Sequence, residues 1–379
     1  MSNRVFLVFA LAVASLNTGF CGTSPYPCGQ KAEVAPCLAI YNDEGQPSGY
    51  RPPFFLEPDH GVFFLADFLY LQATVDGLTF AWTFPEDEPP VSSDDLIRST
   101  PIPNGRLHDV DFEWSPGVRL GVGYHSPMDN WDLFLSWTHL KNESTGSVSV
   151  PNLTSNSSFG IWMPFGFLAG TYNARDASAK WKFNYNTIDL DLARASFAVK
   201  SIVFEPFLGM RGAFIHQSLH AKYQNGAFHD GTSAVPNVSF TGKNLFNGWG
   251  IHPGLKTSWH FLRDWSLYAN TSASFLYGRF MIQEIAQTTS APVRDLFSER
   301  DRYFNNALGF ELGVGLKWEM FLCPDQWHLQ FSAGYEMIQW FDQNQLVNFF
   351  YIDNAQGMGP YVNGDLGIQG VNVSGRFDF

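Results

Sequence analysis

The chain alternates apolar and polar residues over long stretches. In Phe112–His125 the even positions are Phe112, Trp114, Pro116, Val118, Leu120, Val122 and Tyr124, while the odd ones are mostly Gly, Ser, Glu and Arg. Ala307–Met320 repeats the pattern with Leu308, Phe310, Leu312, Val314, Leu316, Trp318 and Met320. A period of two describes a strand with one apolar and one wet face. Similar faces run through Trp131–Trp137, Trp249–Trp259, Trp265–Tyr277 and Trp327–Met337, with a shorter one at Leu78, Phe80, Trp82 and Phe84. The last nine residues alternate as well. Val371, Val373, Gly375, Phe377 and Phe379 lie on one face, and Asn372, Ser374, Arg376 and Asp378 on the other. Residues 181–197 and 203–222 alternate less cleanly, and a phase slip near Thr187 reads as a bulge.

A soluble sandwich also alternates, so the period alone does not assign the fold. Three details favour lipid. The runs last 11–16 residues, against about 5–6 in soluble strands and roughly 9–11 for tilted membrane strands. Trp and Tyr close the apolar faces, as with Trp249 and Trp259 or Trp265 and Tyr277, where aromatic girdles sit. The opposite face is Gly, Ser, Asn and occasional charge rather than continuous Lys and Glu. Composition agrees. Aromatics make up 16% of the chain and charged residues only 16%, the latter well below the roughly 25% of soluble proteins. The net charge of −13, with no basic cluster evident in the sequence, excludes nucleic acid as a partner.

Export is written at the N-terminus. Arg4 precedes the apolar run Val5–Leu16, and Gly19 and Cys21 place small side chains at −3 and −1 of a cut after Cys21. Bulky Phe20 disfavours a lipoprotein signal. No later segment has the roughly 20 apolar residues of a spanning helix, and only helices and closed barrels satisfy their backbone in lipid. The predicted organisation is a signal peptide at 1–21, an irregular Pro- and Gly-rich periplasmic segment at 22–60, and a barrel at 61–379. The fold class is all-β: a transmembrane antiparallel up-and-down β-barrel in the bacterial outer membrane, with long extracellular loops.

Short connections are predicted at 126–130, near 199–202, at 261–264 and at 322–326, and long loops at 85–111, 142–178, 223–243, 283–304 and 341–363. Nine strands are visible from Phe112 onward, and periplasmic termini require an even number. Residues 62–84 then supply one strand, giving ten, or a further strand is hidden and the count is twelve. Asp76-Gly77 is a hairpin signal that would break parity unless it interrupts one long strand.

The candidate functional residues are charges on the wet faces: Glu113, Arg119, Glu205, Arg211, Lys256, Glu311, Lys317, Glu319 and Arg376. On the lipid side a mid-membrane Arg or Lys costs about 2–4 kcal/mol, so phase places them inward. There they either set ion preference in an open lumen or pair with each other and plug a narrow barrel. No Gly-x-Ser-x-Gly, His-Glu-x-x-His or P-loop occurs. His252 reads as a lone solvated lumen residue. The chain is read as no enzyme and as needing no cofactor, although barrel proteases and lipases place catalytic residues near strand ends, where sequence does not single them out. If Cys21 leaves with the signal, Cys28 and Cys37 could pair, leaving Cys323 free or intermolecular.

The final strand ending on Phe379 resembles the closing strand of bacterial outer-membrane barrels. Four segments resemble the Legionella-type major outer membrane protein family, also found in chlamydia-like bacteria. They are Ala66-Asp67-Phe68-Leu69-Tyr70-Leu71 followed by Asp76-Gly77-Leu78, Ile188–Arg194, Phe207–Ala213 and Leu276–Phe280. The family usually has Trp where Leu71 stands. The resemblance spans about residue 62 to the end and implies an abundant pore-forming barrel. It also implies that Cys28, Cys37 and Cys323 could join disulfide-linked envelope proteins. The expected function is a porin for passive diffusion of ions and small hydrophilic solutes. The alternative is a non-conducting barrel acting as adhesin or structural envelope protein through its loops. Expected partners are outer-membrane lipid, ions and solutes, and either further copies of the chain or linked envelope proteins.

Overall fold

The computed structural model describes residues 61–83, 106–126, 131–151, 158–160, 173–194, 197–199, 201–226, 228–229, 234–262, 264–289, 293–322, 327–347 and 364–379. The expected signal peptide, the 22–60 segment and all four cysteines lie outside the described residues.

Ten long strands form one closed antiparallel barrel. In chain order they are β1 (Gly61–Val75), β2 (Trp114–His125), β3 (Trp131–Ser149), β4 (Asp176–Arg194) and β5 (Ile202–Gln224). They continue as β6 (Val238–His260), β7 (Trp265–Thr288), β8 (Asp295–Leu322), β9 (Trp327–Asn344) and β10 (Gly364–Asp378). Each pairs with the next, and β10 closes on β1 from Phe63↔Asp378 to Val75↔Leu366. The closure is sealed by reciprocal backbone bonds of 3.1 Å between Val62 and Phe379, and the Phe64 and Phe379 rings stack outside it.

Ten strands agree with the parity argument, but Asp76-Gly77 plays a third role. Gly77 has φ 83°, a left-handed value that favours Gly, so β1 ends in a true turn. The chain then leaves the barrel. Ala81–Thr83 pairs with Arg106–His108 and Ser158–Gly160 in a small four-stranded sheet completed by Asn173–Ala174. Leu78 and Phe80 are buried rather than lipid-facing, and the Phe80 carbonyl accepts the Tyr223 hydroxyl of β5 at 2.8 Å.

Four of the five predicted long loops are too long, and the first is too short because β1 already ends at Val75. Connections at that end occupy 76–113, 150–175, 225–237, 289–294 and 345–363. The barrel strands reach 24 residues in β7 and 28 in β8, beyond what a bilayer requires. Their upper parts continue the sheet above the lipid, where loops were expected.

That extension explains the phase slip near Thr187, which is no bulge. The register of β4 is unbroken against both neighbours. Below Thr187, Ile188, Leu190 and Leu192 are exposed while Asp189 and Asp191 are buried. Above it, Trp181, Phe183 and Tyr185 are buried, and Lys182 is exposed. The strand inverts its polarity because its surroundings invert. Beside lipid the apolar face points out, and beyond lipid it must point in to escape water. β5 does the same: Leu208 and Met210 face out beside Arg211, then Ala213, Ile215 and Leu219 face in.

The lumen therefore has two halves. Its extracellular half is packed with Leu69, Leu71, Trp181, Ile215, Phe280 and Trp340, among others in one buried cluster. Each such large side chain contributes roughly 1.5–3 kcal/mol by leaving water. Its periplasmic half carries the charges.

Candidate functional site

The charged half encloses a cavity of about 250 Å³ lined from all ten strands. Two arginines organise it. Arg119 on β2 reaches Glu336 on β9 through two bonds of 3.2 Å and Asp67 on β1 at 3.1 Å, while its Nε donates to Thr138 at 3.1 Å. Arg211 on β5 grips Asp189 on β4 at 2.6 and 2.8 Å, donates to Ser274 at 3.0 Å and pairs with Glu311 on β8. Planar guanidinium groups suit such two-sided carboxylate contacts. Each arginine ties strands that are not neighbours in the sheet, so each braces the barrel across its lumen.

Towards the periplasm the chemistry changes. Lys256 pairs with Glu205 at 3.0 Å and lies 5.5 Å from the centroid of the Phe207 ring. Arg376 stacks 3.7 Å over Phe63 and bonds Asp378 at 2.6 Å. Gly123 makes room for that ring, since a Cβ there would fall 2.0 Å from Phe63 Cζ. Lys317 donates to Ser258 at 3.3 Å and approaches Glu319 at 3.5 Å, with His260 on the other side of Glu319 at 3.7 Å.

Of the nine charges expected inside, Arg119, Glu205, Arg211, Lys256, Glu311, Lys317 and Arg376 line the cavity. Glu319 is buried below it. Glu113 departs from expectation. It precedes β2, is exposed, and its N–H donates to Ser144 Oγ at 3.2 Å. The regular phase begins only with the strand. His252 is also not solitary: it is buried with Nδ1 at 3.0 Å from Asp191. The missed partners are Asp67, Asp189, Asp191 and Glu336, all of which line the cavity. Each occupies the wet phase of its strand, so the same parity rule would have found them. Among the described residues, no three His, Cys, Asp or Glu side chains form a metal-ligand set.

The cavity wall holds seven carboxylates against five Lys or Arg side chains. Ions inside it meet a field dominated by paired charges with an acidic surplus. The apolar cluster packs the lumen above it.

Similar solved structures are distant. The outer membrane protease OmpT from Escherichia coli has 10% identity and a TM-score of 0.35, covering 84% of this chain and 96% of that one. A Pseudomonas aeruginosa FadL homologue has 10% identity and a TM-score of 0.21, covering 86% and 91%. An anion-selective porin from Comamonas acidovorans has 10% identity and a TM-score of 0.12, covering 85% and 100%. No curated protein matches the sequence. The reading of the chain as no enzyme is corrected here, because a protease stands among these barrels. At that similarity no catalytic residue carries over to this chain. The family model described as the Legionella pneumophila major outer membrane protein precursor matches residues 59–379, and the chain belongs to that outer-membrane family.

Proposed function

We propose that the barrel is a porin that passes ions and small hydrophilic solutes, with a preference for cations. The observation that supports it most is the charged cavity between the Arg119 and Arg211 clusters, with its excess of carboxylates. A barrel serving only as a rigid anchor needs no cavity there. Conduction requires the apolar layer around Trp181 and Trp340 to part, since both side chains are fully buried. Apolar constrictions gate pores by excluding water until they widen.

The same apolar layer favours a second reading, a non-conducting barrel that acts through its extracellular loops. Planar-bilayer recordings of the refolded full chain separate the two. The porin reading expects discrete openings and, in a KCl gradient, a reversal potential of the sign set by K⁺. A folded, heat-modifiable barrel that never conducts overturns it and leaves the second reading.

A further inference from the structure

A basic face stands on the outside of the barrel, directly above the lipid-facing belt. The pairing registers of β3 to β8 align Trp137, Ile188, Gly212, Trp249, Tyr277 and Asn306 in one outward row. Trp137, Trp249 and Tyr277 are exposed there, as a lipid-facing aromatic girdle requires.

The next three outward rows towards the loops are different. They contain Lys141, Lys182, Lys243, Arg279, Arg300 and Arg302. All but Arg279 are exposed, and Arg279 is half-buried. The rows contain one acid, Glu143, which is engaged by Lys180. This concentration of cations sits on a chain whose net charge is −13. It is also one-sided: beyond the belt, β9, β10 and β1 present Gln339, Gln369, Gln72 and Thr74 outward.

We infer that this face binds the phosphorylated headgroups of outer-leaflet glycolipid, of the lipid A class. Two features carry the assignment. The first is charge complementarity. Lys182 and Lys243 share one row two strands apart, roughly 10 Å at the backbone given the usual strand spacing, and long cationic side chains close that gap around a phosphate. The second is continuity with the aromatic row. Acyl chains laid against Trp137, Trp249 and Tyr277 carry their headgroups to the height of the cations, where basic side chains near a membrane surface meet anionic lipid. The inference rests on outer-membrane residence and is independent of conduction.

The test is native mass spectrometry of the full chain in detergent with bis-phosphorylated lipid A, in wild type and the triple variant K182Q/K243Q/R300Q. Wild type retains the lipid, and the triple variant loses affinity on the order of a hundredfold, from about a fivefold effect per surface cation. The variant R194Q, at the opposite end of β4 over Trp131, binds as wild type. Heat-modifiable mobility on gels confirms that all variants are folded. Equal binding by the folded triple variant overturns the inference. So does equal binding of lipid A stripped of its phosphates, or displacement of the lipid by inorganic phosphate at equal concentration.

Discussion

Arg119 and Glu336 form a two-bond pair across the lumen, with Nη1 to Oε2 and Nη2 to Oε1 both at 3.2 Å. Two other strands, β10 and β1, separate their own strands in the sheet. The pair therefore closes a chord of the barrel that the backbone ladder does not provide. Arg211 and Glu311 make the corresponding chord on the other side.

Removing one partner of such a chord leaves buried charge unpaired. Arg211→Met strands Asp189 and Glu311 without their guanidinium and is expected to cost about 3–5 kcal/mol. Urea midpoints of the folded barrel in detergent report the loss. The triple neutral variant R211M/D189N/E311Q is expected to recover much of it, because no uncompensated charge remains.

Ion preference follows the carboxylate surplus. D67N together with E336Q leaves Arg119 without acidic partners and is expected to move the reversal potential in a KCl gradient towards Cl⁻. An unchanged reversal potential in a conducting variant would place selectivity elsewhere.

Trp340 fills the apolar layer above the cavity and is fully buried. Trp340→Ala is expected to cost about 3–5 kcal/mol and to increase channel open time or conductance. A variant that stays folded yet conducts no more than wild type would show that this layer is not the gate.

Glu284 sits beyond the lipid-facing part of β7, which ends at Tyr277, and is 1% exposed. Burial pushes its carboxyl up to about 7, although the Val347 N–H donates to Oε1 at 2.7 Å and opposes the shift. The unfolded chain loses this proton near pH 4.5 and the folded chain near 7. The folded state thus holds the extra proton between these values, so stability falls as pH rises through that window and levels off above 7. The total is roughly 3 kcal/mol. Glu284→Gln keeps the acceptor for Val347 and is expected to flatten the pH dependence, read as melting temperature at pH 5 and pH 8. Equal slopes in wild type and variant would refute the assignment.

Much of the fold was legible because lipid imposes a simple rule. On Trp265–Tyr277 or Ala307–Met320 every second residue had to be apolar, and parity of the closed barrel turned nine visible strands into ten. Most of the site was legible for the same reason: Arg119, Arg211 and Glu311 could not face lipid. What misled was the assumption that one phase keeps one meaning along a strand. Trp181, Phe183 and Tyr185 share the phase of Asp189 and Asp191, yet they belong to the apolar packing above the cavity.

The sequence alone determined which residues share a face, that an even number of strands closes the barrel, and which end bears the longer connections, because alternation and parity are local and arithmetic constraints. Tertiary structure decided what those faces meet. It showed that the Thr187 irregularity marks the level where lipid gives way to water. It also showed that Arg119 finds Glu336, some two hundred residues away, and that six cations from five strands gather above one aromatic row. Contacts across strands depend on register and closure, which link residues far apart in sequence, and no periodicity within a single strand encodes them.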